Sequence, residues 1–284
     1  MIDVHSADEA RPIAVDERSG VLHPDRLVRF AAGWIDPAPT VSAVVDQYWH
    51  VSWALDDSEQ LDQRIIDLPA VTLTAEAGTV PAPLVVTGVQ DRAWRRTIRG
   101  TGDVFAIRLR PAGLAVLSDL VVTSVANRTM PLTTTLDARL HALMSAVAAE
   151  SGASDRADAA NRLIERLLAE HPPTPAGLLA NDVLDEMRTQ LHHKTGPSLA
   201  QRFHCSERTI QRALASTLGH GPKWISRRIR LQEVARTLVT RMDADVASIA
   251  ADLGYTDHSH LTKDFHAIAG VAPDAYRREV ERLR

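Results

Sequence analysis

Two stretches in the last third of the chain repeat one pattern of caps and apolar positions. That repeat restricts the fold more than any other feature. The first stretch runs from Ser198 to Leu214 (SLAQRFHCSERTIQRAL) and the second from Ala247 to Phe265 (ASIAADLGYTDHSHLTKDF). Ser206 and Asp257 carry side-chain oxygens suited to cap a helix N-terminus. Four residues after each cap comes Ile210 or Leu261, and eight after comes Leu214 or Phe265, which is the buried face of a helix. Upstream, Leu199, Ala200 and Phe203 form one apolar stripe, and Ile249, Ala250 and Leu253 form its counterpart. Small Ala200 and Ala250 let two helices cross closely. Gly254 stands where the second turn needs a permissive backbone. The first copy has His204 there, so its turn is made differently or its backbone is strained.

Each copy therefore reads as a helix-turn-helix, a unit that fits the DNA major groove. Burying the apolar faces leaves Glu207, Arg208, Gln211 and Arg212 outward on the first candidate recognition helix. On the second it leaves His258, Ser259, Thr262 and Lys263. Arg pairs bidentately with guanine and Gln with adenine, at ~1–3 kcal/mol of discrimination per good pair. The first helix has the better base-reading chemistry; the second suits phosphate contact and positioning. Between them, Pro222 suits a helix start, and Trp224, Ile225, Ile229, Val234 and Leu238 supply an apolar face. A helix from Lys223 to Thr240 would span ~27 Å at 1.5 Å per residue, comparable with the ~34 Å between successive major-groove faces.

Over roughly Leu178 to Arg278 this arrangement resembles the AraC/XylS family of bacterial transcription regulators. The resemblance is carried by Ile249, Ala250, Leu253, Gly254, Tyr255, Asp257, Ser259, Leu261, Lys263 and Phe265, followed by Gly270-Val-Ala-Pro273, Tyr276 and Arg277. The family more often has Phe where this chain has Leu261, and Arg where it has Lys263. The resemblance implies a monomer that inserts two helices into neighbouring major grooves. It also implies a variable N-terminal domain for effector sensing or dimerisation. Arg208, Gln211, Arg212, His258, Thr262 and Lys263 are the contact candidates it carries over. A helical bundle that only mimics the pattern is the plainer reading; two copies with matching caps and core faces argue against it.

Length and charge agree with this division. At 284 residues the chain suggests two domains. The net charge of −4 is unpromising for a DNA binder until it is divided. Residues 176–284 hold 16 Lys+Arg against 13 Asp+Glu, while the rest of the chain holds 16 against 23. The basic excess lies in the half where phosphate attraction requires it, with all three lysines, Lys194, Lys223 and Lys263. No run approaches the ~18 apolar residues of a membrane helix, and the acidic N-terminus lacks a signal-peptide pattern. The single Cys205 excludes an intramolecular disulfide. The expected compartment is the cytoplasm.

The N-terminal part changes texture. Trp49, Val51, Trp53 and Leu55 alternate with Tyr48, His50, Ser52 and Ala54, and Phe105, Ile107 and Leu109 alternate with Ala106, Arg108 and Arg110, the period of half-buried strands. Leu84 to Val89 reads as a buried strand. After Pro131, Leu136, Leu140, Leu143 and Val147 fit one helix, and Leu163, Ile164, Leu167 and Leu168 another. His171-Pro-Pro-Thr-Pro175 reads as a linker. The expected fold is α+β. A β-rich barrel- or sandwich-like domain ending in helices spans 1–170, and a Pro-rich linker 171–175. An all-α domain spans 176–284, with helix-turn-helix units at about 198–218 and 246–269 and a joining helix at about 223–240. Segments 48–55, 108–114 and 127–132 are similar to an uncharacterised N-terminal domain found fused to this DNA-binding module.

Trp49, Trp53, Trp94, Arg108 and Arg110 are the candidates for an effector pocket, because aromatic walls suit apolar ligands and arginines suit anions. For the tryptophans, a place in the core is the commoner outcome. The two helices before the linker either form a dimer interface or pack back on the β domain. His258, His260 and His266 are clustered, but His258 and His260 are not at the i, i+4 spacing of two ligands one turn apart, so DNA contact or surface roles are expected and no metal site. Cys205 beside the capping Ser206 invites a redox reading, against which a buried turn cysteine is commoner. No nucleotide-binding, hydrolase or metalloprotease motif is present, and no catalytic residue or cofactor is expected. The chain reads as a sequence-specific DNA-binding transcription regulator and not an enzyme. Its expected partners are double-stranded DNA, a small-molecule effector, RNA polymerase and a second copy of itself, with no membrane. A non-specific architectural DNA binder and a regulator with a catalytic N-terminal domain are the alternatives.

Overall fold

The computed structural model describes residues 11–12, 21–22, 26, 29–191, 197–241 and 244–282. His192, His193, Lys194 and the acidic first ten residues lie outside them. The N-terminal part holds strands β1 (Arg11–Pro12), β2 (Phe30–Ile35), β3 (Val45–Ala54), β4 (Gln60–Ile65), β5 (Thr72–Gly78), β6 (Leu84–Thr87), β7 (Trp94–Arg99), β8 (Thr101–Leu109) and β9 (Thr129–Pro131). Seven of these form one antiparallel sheet in the order β1-β2-β3-β8-β5-β6-β9, while β4 and β7 pair as a separate two-stranded ribbon. Short helices α1 (Gly113–Leu117) and α2 (Val122–Val125) precede α3 (Ala138–Ala148) and α4 (Ala153–Glu170).

Alternation decides what each face of the sheet meets. Tyr48, Leu73, Phe105, Ile107 and Leu109 point to one side and are fully buried with Leu140, Met144, Val147 and Ile164 of α3 and α4. Each such side chain contributes roughly 1.5–3 kcal/mol by leaving water. Tyr48 stacks on Phe105 with centroids 5.8 Å apart, and its hydroxyl donates to Asn161 Oδ1 of α4 at 2.8 Å. The two helices before the linker thus pack on the β domain. The opposite face carries Trp53, Val104 and Ala106, with Trp49 and Val51 partly buried beside them. The alternation in β3 predicts a buried tryptophan face. The larger dry core instead lies on the Tyr48 face, because the helices cover that side.

The C-terminal part is helical. It comprises α5 (Pro175–Thr189), α6 (Leu199–Arg202), α7 (Glu207–Leu218), α8 (Pro222–Thr240), α9 (Val246–Asp252), α10 (His258–Ala269) and α11 (Pro273–Arg282). α4 ends at Glu170, and α5 begins at Pro175 behind a Thr174 cap that accepts from Gly177 N. Helix α5 belongs to both halves. Asn181, 3% exposed, donates to Ala43 O at 2.9 Å and accepts from Ala112 N at 3.0 Å. Arg188 reaches Asp46 at 3.0 Å. Burial pushes the Asp46 carboxyl up, but the charges of Arg108 and Arg188 outweigh that and hold it below the usual carboxylate range. The core under the sheet is therefore continuous, through Ala180, Val183 and Leu184, with Ile210, Leu214 and Leu218 of α7 and with Ile225 and Ile229 of α8. Beyond Ile229, α8 enters a second core: Leu231, Val234 and Leu238 pack with Ile249, Leu253, Leu261, Phe265 and Tyr276.

Candidate functional site

Helices α6 and α7 form one helix-turn-helix, and α9 and α10 the other. Ser198 opens α6 with a reciprocal capping box. Ser206 Oγ accepts from Thr209 N at 3.1 Å, and Asp257 Oδ1 accepts from His260 N at 2.8 Å. Asp245 caps α9 through Ser248 N at 2.8 Å. The two turns are built alike: Gly254 has φ +72° and His204 has φ 48°. His204 thus takes the glycine conformation without being glycine, at a cost of roughly 1–2 kcal/mol. Cys205 is partly exposed in the same turn.

Along α7, Glu207, Arg208, Gln211 and Arg212 are exposed while Ile210, Ala213 and Leu214 are buried. The Gln211 amide folds back over Gly221, where an added β-carbon would fall 2.5 Å from Nε2; reading a base requires it to swing outward. Along α10, His258, Ser259 and Lys263 are exposed and Thr262 is half-buried. With His266 and Ala272 they line a shallow open concavity. Helix α8 holds both units. Arg227 pairs with Asp264 of α10 at 2.8 Å, which ties that helix to α8 and offsets its carboxylate charge. Arg230 lies 4.9 Å from the centre of the Tyr255 ring, a cation–π contact that fixes the second turn.

A chamber of about 330 Å³ lies between the seven-stranded sheet and the β4–β7 ribbon. Trp49, Trp53, Trp94 and Arg108 line it, together with Phe30, Gln63, Glu76 and Arg96. Arg110, grouped with them by its place in the sequence, is not in the wall. Its alternation ends with β8 at Leu109, and Arg110 turns away to pair with Asp185 of α5. Glu76, its side chain 3% exposed, is gripped by Arg96 at 2.8 Å and accepts from Thr74. Arg96 also lies over Trp53, and Arg108 over Trp49. Arg108 is tied to Asp46 at 2.5 Å.

The ribbon has two faces. Gln63, Ile65, Trp94, Arg96 and Ile98 face the chamber. Where the ribbon frays, Ile66 and Ala93 enter the core of the second helix-turn-helix. Ala93 N donates to Ile268 O of α10 at 3.2 Å. Arg64 and Arg95, opposite one another in register, both approach Gly270 at the end of α10, where helix carbonyls attract cations. Burial, and then Arg95, press the Arg64 pKa down.

Arg228 of α8 closes that end of the ribbon. It is 1% exposed, and it donates through Nε to Asp67 O at 2.9 Å and through Nη2 to Arg92 O at 3.2 Å. Burial lowers its pKa to about 10, which still leaves it charged at neutral pH. Tyr276 adds a hydroxyl bond to Val21 O at 3.0 Å. Sequence reasoning misses Gln63, Glu76, Arg96 and Arg228. The segment Leu61-Asp-Gln-Arg-Ile65 is too polar to advertise a strand, and Arg228 sits among arginines that reach water.

Among the described residues no group of three or more His, Cys, Asp or Glu is placed to hold a metal ion, and no helix is long and apolar enough to cross a membrane.

Comparison with known proteins follows the same division. Residues 199–279 match a family described as a helix-turn-helix domain, and residues 34–131 match a domain of unknown function, DUF6597. The HTH-type transcriptional activator RhaS of Pectobacterium carotovorum subsp. carotovorum (strain PC1) is 33% identical over 82 residues, 29% of each chain. The match therefore spans less than a third of that activator's length. ToxT from Vibrio cholerae O395 aligns over 82% of this chain and 98% of its own, with 9% identity and a TM-score of 0.41. The unsaturated fatty acid bound wild-type ToxT of strain SCE256 aligns over 81% and 94%, with 9% identity and a TM-score of 0.40. With paired, capped helix-turn-helix units on one connecting helix, the C-terminal domain is of the AraC/XylS type, and it is joined to an N-terminal domain of unknown function.

Proposed function

We propose that this protein is a sequence-specific DNA-binding transcription regulator whose N-terminal chamber takes a small-molecule effector. The observation that carries the reading is the pair of capped, outward-facing helices, α7 and α10, mounted on the single helix α8. Arg208, Gln211 and Arg212 read bases in one major groove. His258, Ser259, Thr262 and Lys263 anchor the second helix in the next, largely on phosphate, and Glu207 accepts from cytosine or turns away. The effector half of the proposal rests on the chamber and on the ribbon that separates it from the second helix-turn-helix. A ligand pressing on Gln63, Ile65 and Trp94 moves the same strands whose ends hold α8 and α10. The protein acts by binding and not by turnover, in the cytoplasm, with RNA polymerase as its partner at a promoter and a second copy of the chain as a further partner.

Competition binding tests the reading. Full-length protein is titrated onto duplex DNA at near-physiological salt against excess random-sequence duplex. A specific regulator keeps a subset of sequences bound. Equal displacement of every sequence would instead show an architectural binder held by phosphate contacts alone.

A further inference from the structure

The chamber's chemistry defines its ligand more narrowly than the functional reading on which this inference rests. Its two inner arginines, Arg96 and Arg108, are already paired. Arg96 is bonded to Glu76 through two nitrogens, at 2.8 and 3.1 Å. Arg108 is bonded to Asp46 and Gln47. Arg95 stands exposed at the rim, with Asp67 the remaining acid of the wall. An anion entering this space would have to compete with buried carboxylates for their arginines and lose its own hydration, which is costly. Three tryptophans and Phe30, together with aliphatic side chains and four threonines, supply the remaining wall.

Among the described residues of the wall, one buried side-chain polar atom is left over. Gln63 is 7% exposed, and its Oε1 is buried with no hydrogen-bond partner among the described residues. A buried carbonyl left in that state costs roughly 1–3 kcal/mol. Its cross-strand neighbour Arg96 faces the same chamber and is occupied by Glu76. Rotation of the amide presents either an acceptor or a donor. A single hydroxyl satisfies both orientations, and no charged group is called for.

We infer that the chamber binds an uncharged, largely apolar aromatic molecule bearing one hydroxyl, which bonds to Gln63. The test uses three probes of matched size: 4-butylphenol, butylbenzene and 4-butylbenzoate. Each is titrated calorimetrically into full-length protein, and into the variants Gln63→Leu and Gln63→Met. The phenol binds most tightly to the wild type, by roughly ten-fold over butylbenzene, the loss expected for one unmade buried hydrogen bond. Both variants erase that preference while keeping the affinity for butylbenzene. The ranking in wild-type protein stands as a test even if a variant folds poorly. Tightest binding of the benzoate overturns the inference and leaves an effector chamber of another class. Absence of heat with all three overturns it also. The DNA-competition experiment on the same preparation then shows whether the regulator reading survives without it.

Discussion

Removing the Arg228 side chain should loosen both helix-turn-helix units from the N-terminal domain at once. The guanidinium makes two charge-assisted bonds to backbone carbonyls, at 2.9 and 3.2 Å, each contributing about 1.5–3 kcal/mol. Against this stands the cost of burying the charge, seen in a pKa lowered to about 10 and equivalent to ~3 kcal/mol. Arg228→Met drops both terms and keeps most of the volume, so a net loss of about 1–2 kcal/mol is expected. Both variants strand the two carbonyls, but Arg228→Ala also leaves a cavity, so the loss rises to about 3–5 kcal/mol. The assay is denaturant unfolding followed by tryptophan fluorescence, with amide hydrogen exchange read at Ile66 to Leu68 and at Ala93. Exchange there should accelerate in both variants. An alanine variant within 1 kcal/mol of wild type, with unchanged exchange at Ala93, would refute the view that Arg228 locks the ribbon to α8.

Further outcomes are expected. His204→Gly relieves a left-handed backbone and should raise stability by about 0.5–1 kcal/mol in thermal unfolding. Gly254→Ala should lower it by about 1 kcal/mol, because open space surrounds the added carbon and only the backbone resists. His220, stacked on Trp224 at 3.6 Å and 3.2 Å from Asp91, is held below its usual pKa. Burial lowers it more than the half-exposed Asp91 carboxylate raises it. Its stabilising contribution is complete above about pH 6.5 and lost as pH falls through the folded value. Stability measured from pH 8 to 5 should therefore decline, and His220→Gln should flatten the curve. On DNA, Arg212→Ala should cost about 1–3 kcal/mol and relax preference at one position, whereas Lys263→Ala should weaken all sequences alike and shallow the salt slope by about one.

The C-terminal domain is legible in the sequence because helix-turn-helix folding is local. Caps, turns and core faces recur within twenty residues, so the places of Ser206, Asp257, Ile210 and Phe265 follow from spacing alone. The N-terminal domain is legible only as strands and helices. Its register depends on partners far away, such as the pairing of Trp49 with Ala106, and sequence carries no local mark of these. The chamber shows both sides. Trp49, Trp53, Trp94 and Arg108 group together on chemistry alone, whereas Arg110 is misplaced because the strand stops one residue earlier. Gln63 and Arg228 are invisible for a common reason. Each is a polar residue made important by what closes over it, and burial by a distant element leaves no periodicity to read.

The central claim is that two helices read DNA together, and selection of bound duplexes from a random-sequence library by the full-length protein, at near-physiological salt, addresses it most directly. The account predicts an enriched motif with two contacted segments about one helical turn apart, the segment under α7 the more strongly specified. A library that emerges without enrichment, or a motif unchanged when Arg208 and Arg212 are both replaced by alanine, would contradict it.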